Sequence, residues 1–349
     1  MTTSPANVPL LADDVEDDLR ASVRKLLEKH ATPDRLTAIY DGTDEVTGPL
    51  WSAFGDLGLP GLLVPEELGG AGASAREAAA VLEELGRAAA PSPFLTSSVV
   101  AATALITLGD TTILPSLASG EQTAALLVRP TATRHGTGAL TAVGLPADVL
   151  LLPEGDALYA VRGATTTPVS SLDMTRPLAE VDLDGAERTL VSTDAAAAID
   201  RALLTGAGLL AAEQVGVARW ALERTVAYLK QRRQFGRVVG GFQALKHRLA
   251  DLYAAVEHAD AAARYAAATL ATDDPDVPVA VAVAASFCGE AATRAAEEAI
   301  QLHGGIGMTW EHPAHLHLKR AKADELLLGT PEAHRAALAV LVDLPAPEA

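Results

Sequence analysis

Cysteine is all but absent: Cys288 is the only one in 349 residues. An intrachain disulfide is therefore excluded, and a reducing cytoplasm is the expected compartment. Its neighbours Ala284, Ala285, Gly289 and Ala291 are small, with no histidine close in sequence, which predicts a buried structural thiol. Aromatic residues make up only 4% against 49% hydrophobic, much of the latter alanine. Alanine favours helix while adding little buried area, so helices packed closely over a wide contact are expected. No stretch of about 18 uninterrupted apolar residues could span a bilayer. Residues 1–5 lead into Asp13, Asp14, Glu16, Asp17 and Asp18 with neither a basic nor an apolar signal region. No membrane partner is expected. Cations are short too: 27 Lys and Arg face 45 Asp and Glu, a net charge of −18. That balance argues against nucleic acid as a partner, and any phosphate-bearing ligand needs a local basic or amide-lined site.

What is present divides into three textures. The length suits two or three packed domains. Residues 1–118 read as a helical domain, in which Val15, Leu19, Val23, Leu26 and Leu27 keep helical spacing and Ser74 is a good cap for a helix through Val81, Leu82 and Leu85. Residues 119–195 read as a short antiparallel β domain. Its apolar runs at 123–128, 149–152, 158–161 and 178–183 are separated by Gly, Pro and Asp. A βαβ alternation is missing, which disfavours a Rossmann sheet. Residues 196–349 return to helix, with breaks at Gly240-Gly241 and Gly304-Gly305 and a frayed Pro345-Ala346-Pro347 tail. The fold class is mainly α with a small β domain.

Two segments carry chemistry. In Arg232-Arg233-Gln234-Phe235-Gly236 a guanidinium can hold a phosphate while the phenyl ring packs on a base. In Gln301-Leu302-His303-Gly304-Gly305-Ile306-Gly307 bare glycine amides at a helix end let a phosphate or sugar approach the backbone. Each motif is weak alone. Their order, with Phe242-Gln243, His247 and Ala250-Asp251 between them, resembles the C-terminal domain of acyl-CoA dehydrogenases. The stretch from Leu57-Gly58-Leu59 through Pro65-Glu66-Glu67 to Gly69-Gly70 and Gly72 resembles that family's N-terminal domain.

The resemblance implies a helical N-terminal domain, a small β middle domain and a C-terminal helical bundle. It also implies that Arg232, Gln234, Phe235, Gln243, Gln301, Gly304 and Gly305 hold the adenine and pyrophosphate of a neighbouring subunit's FAD. Gly329 and Thr330 match the family's pair beside the flavin. Two departures stand against these matches. The family's proton-abstracting glutamate most often precedes that Gly-Thr pair, and here the position is Leu328. The alternative position, early in the helix before Arg232, reads Thr205-Gly206-Ala207-Gly208, again without an acid. The nearest carboxylates are Glu213 and Glu325, each expected to face solvent or a partner. The middle domain lacks the family's flavin-cradling segments, and residues 129–147 are short for that work, although Asp173-Met174-Thr175-Arg176 matches a later part of it.

The expectation is therefore a base-less subunit of an actinobacterial, steroid-degradation type heteromeric acyl-CoA dehydrogenase. Such an assembly is α2β2, with an acyl-CoA substrate, a fuller paralogue carrying the glutamate, and an electron acceptor protein. The rivals are a self-sufficient homo-oligomer with a displaced base, a flavin-free scaffold, and a related oxidase or monooxygenase. His312, His315 and His317 lack an acid in register, so no metal is expected. Ser119 and Ser171 lack a nucleophile-elbow context, which disfavours a serine hydrolase.

Overall fold

The computed structural model describes residues 10–46, 48–128, 132–134, 140–144 and 146–344. Residues 1–5, the tail at 345–347 and much of the 129–147 stretch singled out above lie outside them.

The chain opens with α1 (Asp14–His30), α2 (Pro33–Tyr40), α3 (Gly48–Asp56) and α4 (Ala75–Ala88). Reciprocal capping boxes fix two of the starts. The Glu16 amide donates to Asp13 while the Asp13 amide donates back to Glu16, and Ser74 with Glu77 makes the same reciprocal box before α4. The acidic run is a first helical turn as read, except that Glu16 is buried and paired with Arg76. A π-helix at Phe94–Ala101 continues into α5 (Ala102–Thr107), and α6 (Leu114–Ala118) completes this helical layer.

Eight strands follow among the described residues: β1 (Ala124–Leu126), β2 (Ala132–Arg134), β3 (Leu140–Val143), β4 (Val149–Glu154), β5 (Ala157–Arg162), β6 (Thr165–Val169), β7 (Leu178–Asp182) and β8 (Glu187–Ser192). They form two four-stranded sheets, ordered β1-β4-β5-β8 and β2-β3-β7-β6. Strand β4 is apolar at four consecutive positions because both its faces are covered. Val149 and Leu151 pack with Val100 and Leu105 of the helical layer, while Leu150 and Leu152 pack with Ala179 and Val181 of β7. The mainly α fold with a small β domain is as the sequence predicts. The β domain is not wholly antiparallel, since β1 pairs with β4 in parallel, Ala124 opposite Val149.

The remainder is α7 (Ala196–Gln231), the hairpin β9 (Arg233–Gln234) and β10 (Arg237–Val238), then α8 (Gln243–Thr272), α9 (Val277–His303), α10 (Ala314–Leu326) and α11 (Pro331–Leu341). Helices α4 and α7 cross with backbones in contact. A Cβ on Gly86 would lie 1.9 Å from the Glu213 carbonyl oxygen, and one on Gly216 would lie 1.9 Å from that of Glu83. Cys288 is buried in α9, its thiol donating to the Ala259 carbonyl at 3.3 Å, and burial pushes its pKa up. Among the described residues one helical stretch, Val277–Met308, has the length and apolarity to cross a membrane, and 72% of its most apolar window is buried inside the bundle.

Candidate functional site

The first arm grows from the end of α7. Strands β9 and β10 are joined by two residues, Phe235 and Gly236, both left-handed at φ +52° and +70°. Two successive positive φ values match the twist of a tight hairpin. Glycine adopts that backbone freely, whereas phenylalanine does so at a cost of about 1–2 kcal/mol. Phe235 is nonetheless 87% exposed, so little burial offsets the strain. Arg232, Arg233, Gln234 and Gln243 are exposed beside it. Arg237 lies 4.6 Å over the Phe242 ring and donates to the Gly241 carbonyl at 2.7 Å, while Phe242 stands edge-on to Phe235. These contacts hold the hairpin in shape.

The second arm is the turn after α9. Gly304 is left-handed at φ +64°, and a Cβ on Gly304 or Gly305 would meet no atom within 4 Å. Their backbone therefore faces open space. Gln301 is exposed, and so are Ile306, Met308 and Trp310. Tyr228, in the last turn of α7, stacks on His303 with centroids 4.5 Å apart and so brings the ends of the two helices together. Exposed guanidinium groups, an uncrowded glycine turn and an exposed ring suit a diphosphate and a planar base.

A third turn joins α10 to α11. Leu328 is left-handed at φ +61° and buried, Gly329 has φ +112°, and the Thr330 hydroxyl caps α11 by accepting from the Ala333 amide. A Cβ on Gly206 would lie 3.1 Å from Leu328 Cδ1 and 2.7 Å from Val100 Cγ2. Leu328 and Gly206, one residue from each segment where the family's base could stand, are thus packed against each other, and neither segment carries an acid. The His334 ring holds the Leu328 carbonyl at 3.1 Å.

The two weak base candidates are both engaged. Glu213 was expected to face solvent or a partner, and that expectation is corrected: it is 2% exposed, accepting from Arg176 and Arg320 at 2.7 Å each. These partners lie 37 and 107 positions away, beyond the reach of any local motif. Arg320 also donates to Asp173 and Thr175, and Arg176 lies 2.9 Å from Asp324. Burial raises both aspartates. For Asp173 the Arg320 charge and the Thr175 hydroxyl outweigh burial and hold it below its ordinary range. For Asp324 the Glu213 charge adds to burial and lifts it well above. With the acid form of Asp324 favoured, the charge of the network moves toward two arginines against two carboxylates. Glu325 is half-buried and accepts from Thr293 at 3.3 Å and from Lys322.

Sequence reasoning also missed a cleft of about 380 Å³ between the helical layer and the sheets, lined by Val46, Pro93, Thr96, Val143, Gly144 and Arg176. The β3–β4 connection lies hard against its helical wall: a Cβ on Gly144 would be 2.7 Å from the Thr96 hydroxyl. Each histidine of the trio has an aromatic neighbour. His312 packs on His303, His315 on Trp310, and His317 stacks on Trp220 at 3.4 Å. Among the described residues no cluster of three or more His, Cys, Asp or Glu could hold a metal ion.

Comparison with known proteins gives consistent matches. The model of the acyl-CoA dehydrogenase C-terminal domain matches residues 196–341, and that of the N-terminal domain matches residues 13–121. Acyl-CoA dehydrogenase IpdE2 of Mycolicibacterium smegmatis is 39% identical over 314 residues, covering 90% of this chain and 94% of that protein. Among solved structures, a chain of the ChsE4-ChsE5 complex from Mycobacterium tuberculosis matches with a TM-score of 0.85 at 26% identity, over 97% of this chain and 100% of that one. A chain of a Tcur3481-Tcur3483 steroid ACAD variant matches with a TM-score of 0.81 at 28% identity, over 95% and 98%.

Proposed function

The chain belongs to the acyl-CoA dehydrogenase family, and from that premise we propose that it is the base-less subunit of a heteromeric, FAD-dependent acyl-CoA dehydrogenase. The assembly is α2β2. Its reaction is α,β-desaturation of an acyl-CoA thioester, with a steroid-derived acyl group as the substrate class, and an electron acceptor protein completes the turnover. A paralogous subunit supplies the glutamate.

The observation that carries this reading is the contact between Leu328 and Gly206. Proton abstraction needs a carboxylate at the substrate's α-carbon, and neither Leu328 nor the segment at 205–208 offers one. Using Glu213 would take a charge partner from two buried arginines. The arms, by contrast, fit the ADP portion of FAD. Arg232 pairs with phosphate, Phe235 and Gln234 meet the adenine, and the uncrowded backbone at Gly304 and Gly305 lets the diphosphate approach, with Gln243 and Gln301 alongside. Gly329 and Thr330 are assigned to the flavin edge. FAD supplies the hydride acceptor; this chain binds and orients its nucleotide end. Because the arm residues point out of the chain, the cofactor they hold is one shared with a neighbour.

The test is co-expression of this chain with paralogous subunits, followed by flavin absorbance per chain and acyl-CoA-dependent bleaching. A yellow, active complex only with a partner is the expected result. A yellow, active homo-oligomer of this chain alone would overturn it, and colourless complexes with every paralogue would favour a flavin-free scaffold.

A further inference from the structure

Three rings from three elements meet between the arms. Tyr228, near the end of α7, stacks on His303, the last residue of α9, at 4.5 Å with planes 29° apart. His312, from the turn before α10, packs on His303 at 4.2 Å. Backbone bonds fix both imidazoles. His303 Nδ1 lies 2.6 Å from the Ala299 carbonyl and so donates there, whereas His312 Nδ1 accepts from the Ala314 amide at 3.2 Å. Neutral rings with opposite tautomers result, His303 protonated on Nδ1 and His312 on Nε2. Burial favours neutral rings, pushing His303 down and His312 to about 4; Arg224 lowers both, and His312 is further lowered by His303 and His315.

Tyr228 and His303 each border an arm. The Tyr228 carbonyl accepts from the Arg232 amide at 2.9 Å, the bond that closes α7 where the hairpin arm begins. On the other side, a Cβ on Gly307 would fall 2.6 Å from the Ile300 carbonyl and 3.0 Å from His303 Cβ, so the glycine turn is pressed onto the His303 side chain.

We propose that Tyr228, His303 and His312 form a positioning joint that sets the separation of the two arms for a nucleotide diphosphate. His312 lies in neither motif. The inference rests on the reading that the arms hold the ADP end of FAD. Ring pairs tolerate replacement of one ring by another but not its removal, and this distinguishes the joint from simple filling of space.

The test uses the purified heteromer, stripped of flavin and titrated with FAD by fluorescence. His312→Ala is expected to weaken FAD binding about three- to ten-fold, and His312→Phe to restore it to within about two-fold. Arg232→Ala is the control for the underlying reading. If Arg232→Ala leaves FAD affinity unchanged, the assignment of the arms fails. If Arg232→Ala weakens binding while His312→Ala does not, the arms stand and the joint is overturned. Should His312→Ala fail to assemble on size exclusion, the pair Tyr228→Leu and Tyr228→Phe decides: weakening by Leu restored by Phe supports the joint, and equal affinities overturn it.

Discussion

Leu328 holds a left-handed backbone that a bulky aliphatic residue adopts only when its surroundings impose it. Those surroundings are Gly206 on one side and the His334 ring on the carbonyl. The missing acid at this position was legible, because a motif carried by contiguous residues can be read without a fold. Glu213 was not legible, since Arg176 and Arg320 reach it from 37 and 107 positions away. The two carboxylates should therefore behave oppositely. Glu213→Gln leaves two buried guanidinium groups short of charge and is expected to cost about 3–5 kcal/mol of stability, read by urea denaturation. Glu325→Gln is expected to leave both stability and substrate-dependent flavin bleaching of the complex within about two-fold of the parent. Abolition of bleaching by Glu325→Gln in a stable complex would mark Glu325 as the base.

At the scale of elements, the helices were the most readable part, because alternating apolar and polar positions at a 3.6-residue period survive in an alanine-rich chain. Strand β8 escaped, for its residues are mostly exposed at the edge of the sheet and carry no apolar run. The parallel β1–β4 pair escaped for a different reason: an apolar strand looks the same whichever way its neighbour runs. Glycine is likewise ambiguous in sequence and resolved only by its contacts. Gly86 and Gly216 let α4 and α7 touch backbone to backbone, so Gly86→Ala or Gly216→Ala is expected to force the helices apart and destabilise by at least about 1–3 kcal/mol. Gly305 meets nothing within 4 Å and has no positive φ, so Gly305→Ala should change stability by less than about 0.5 kcal/mol. A fall in FAD affinity in that stable variant would report that a ligand occupies the space. Unchanged affinity would remove Gly305 from the site.

Across the whole molecule, the buried ion network ties the three parts of the chain together. Arg320 of α10 bonds Asp173 between β6 and β7, Glu213 of α7 and the Ala90 carbonyl after α4, while Tyr40 of α2 donates to Asp173. Its protonation sets how stability depends on pH. His312 and His317 are both pushed by burial to about 4, below their ordinary value of 6.5. The unfolded chain then binds more protons between those limits, so stability is full above about 6.5 and falls as pH drops toward 4. Asp173, held below 3.8, adds a further loss at lower pH, because its stabilising contribution disappears as pH falls through its folded value. Asp324 has the opposite sign. Its raised value means that the folded state favours the acid form, so its contribution is present below 3.8 and is lost as pH rises through the folded value. A neutral isostere removes that opposing term. Asp324→Asn is therefore expected to match or exceed the parent's melting temperature at pH 7 and to steepen its decline on acidification. A melting temperature clearly below the parent's at pH 7 would mean that Asp324 is ionised in the fold. The network would then carry three carboxylates against two arginines, and the charge balance argued for it would fail.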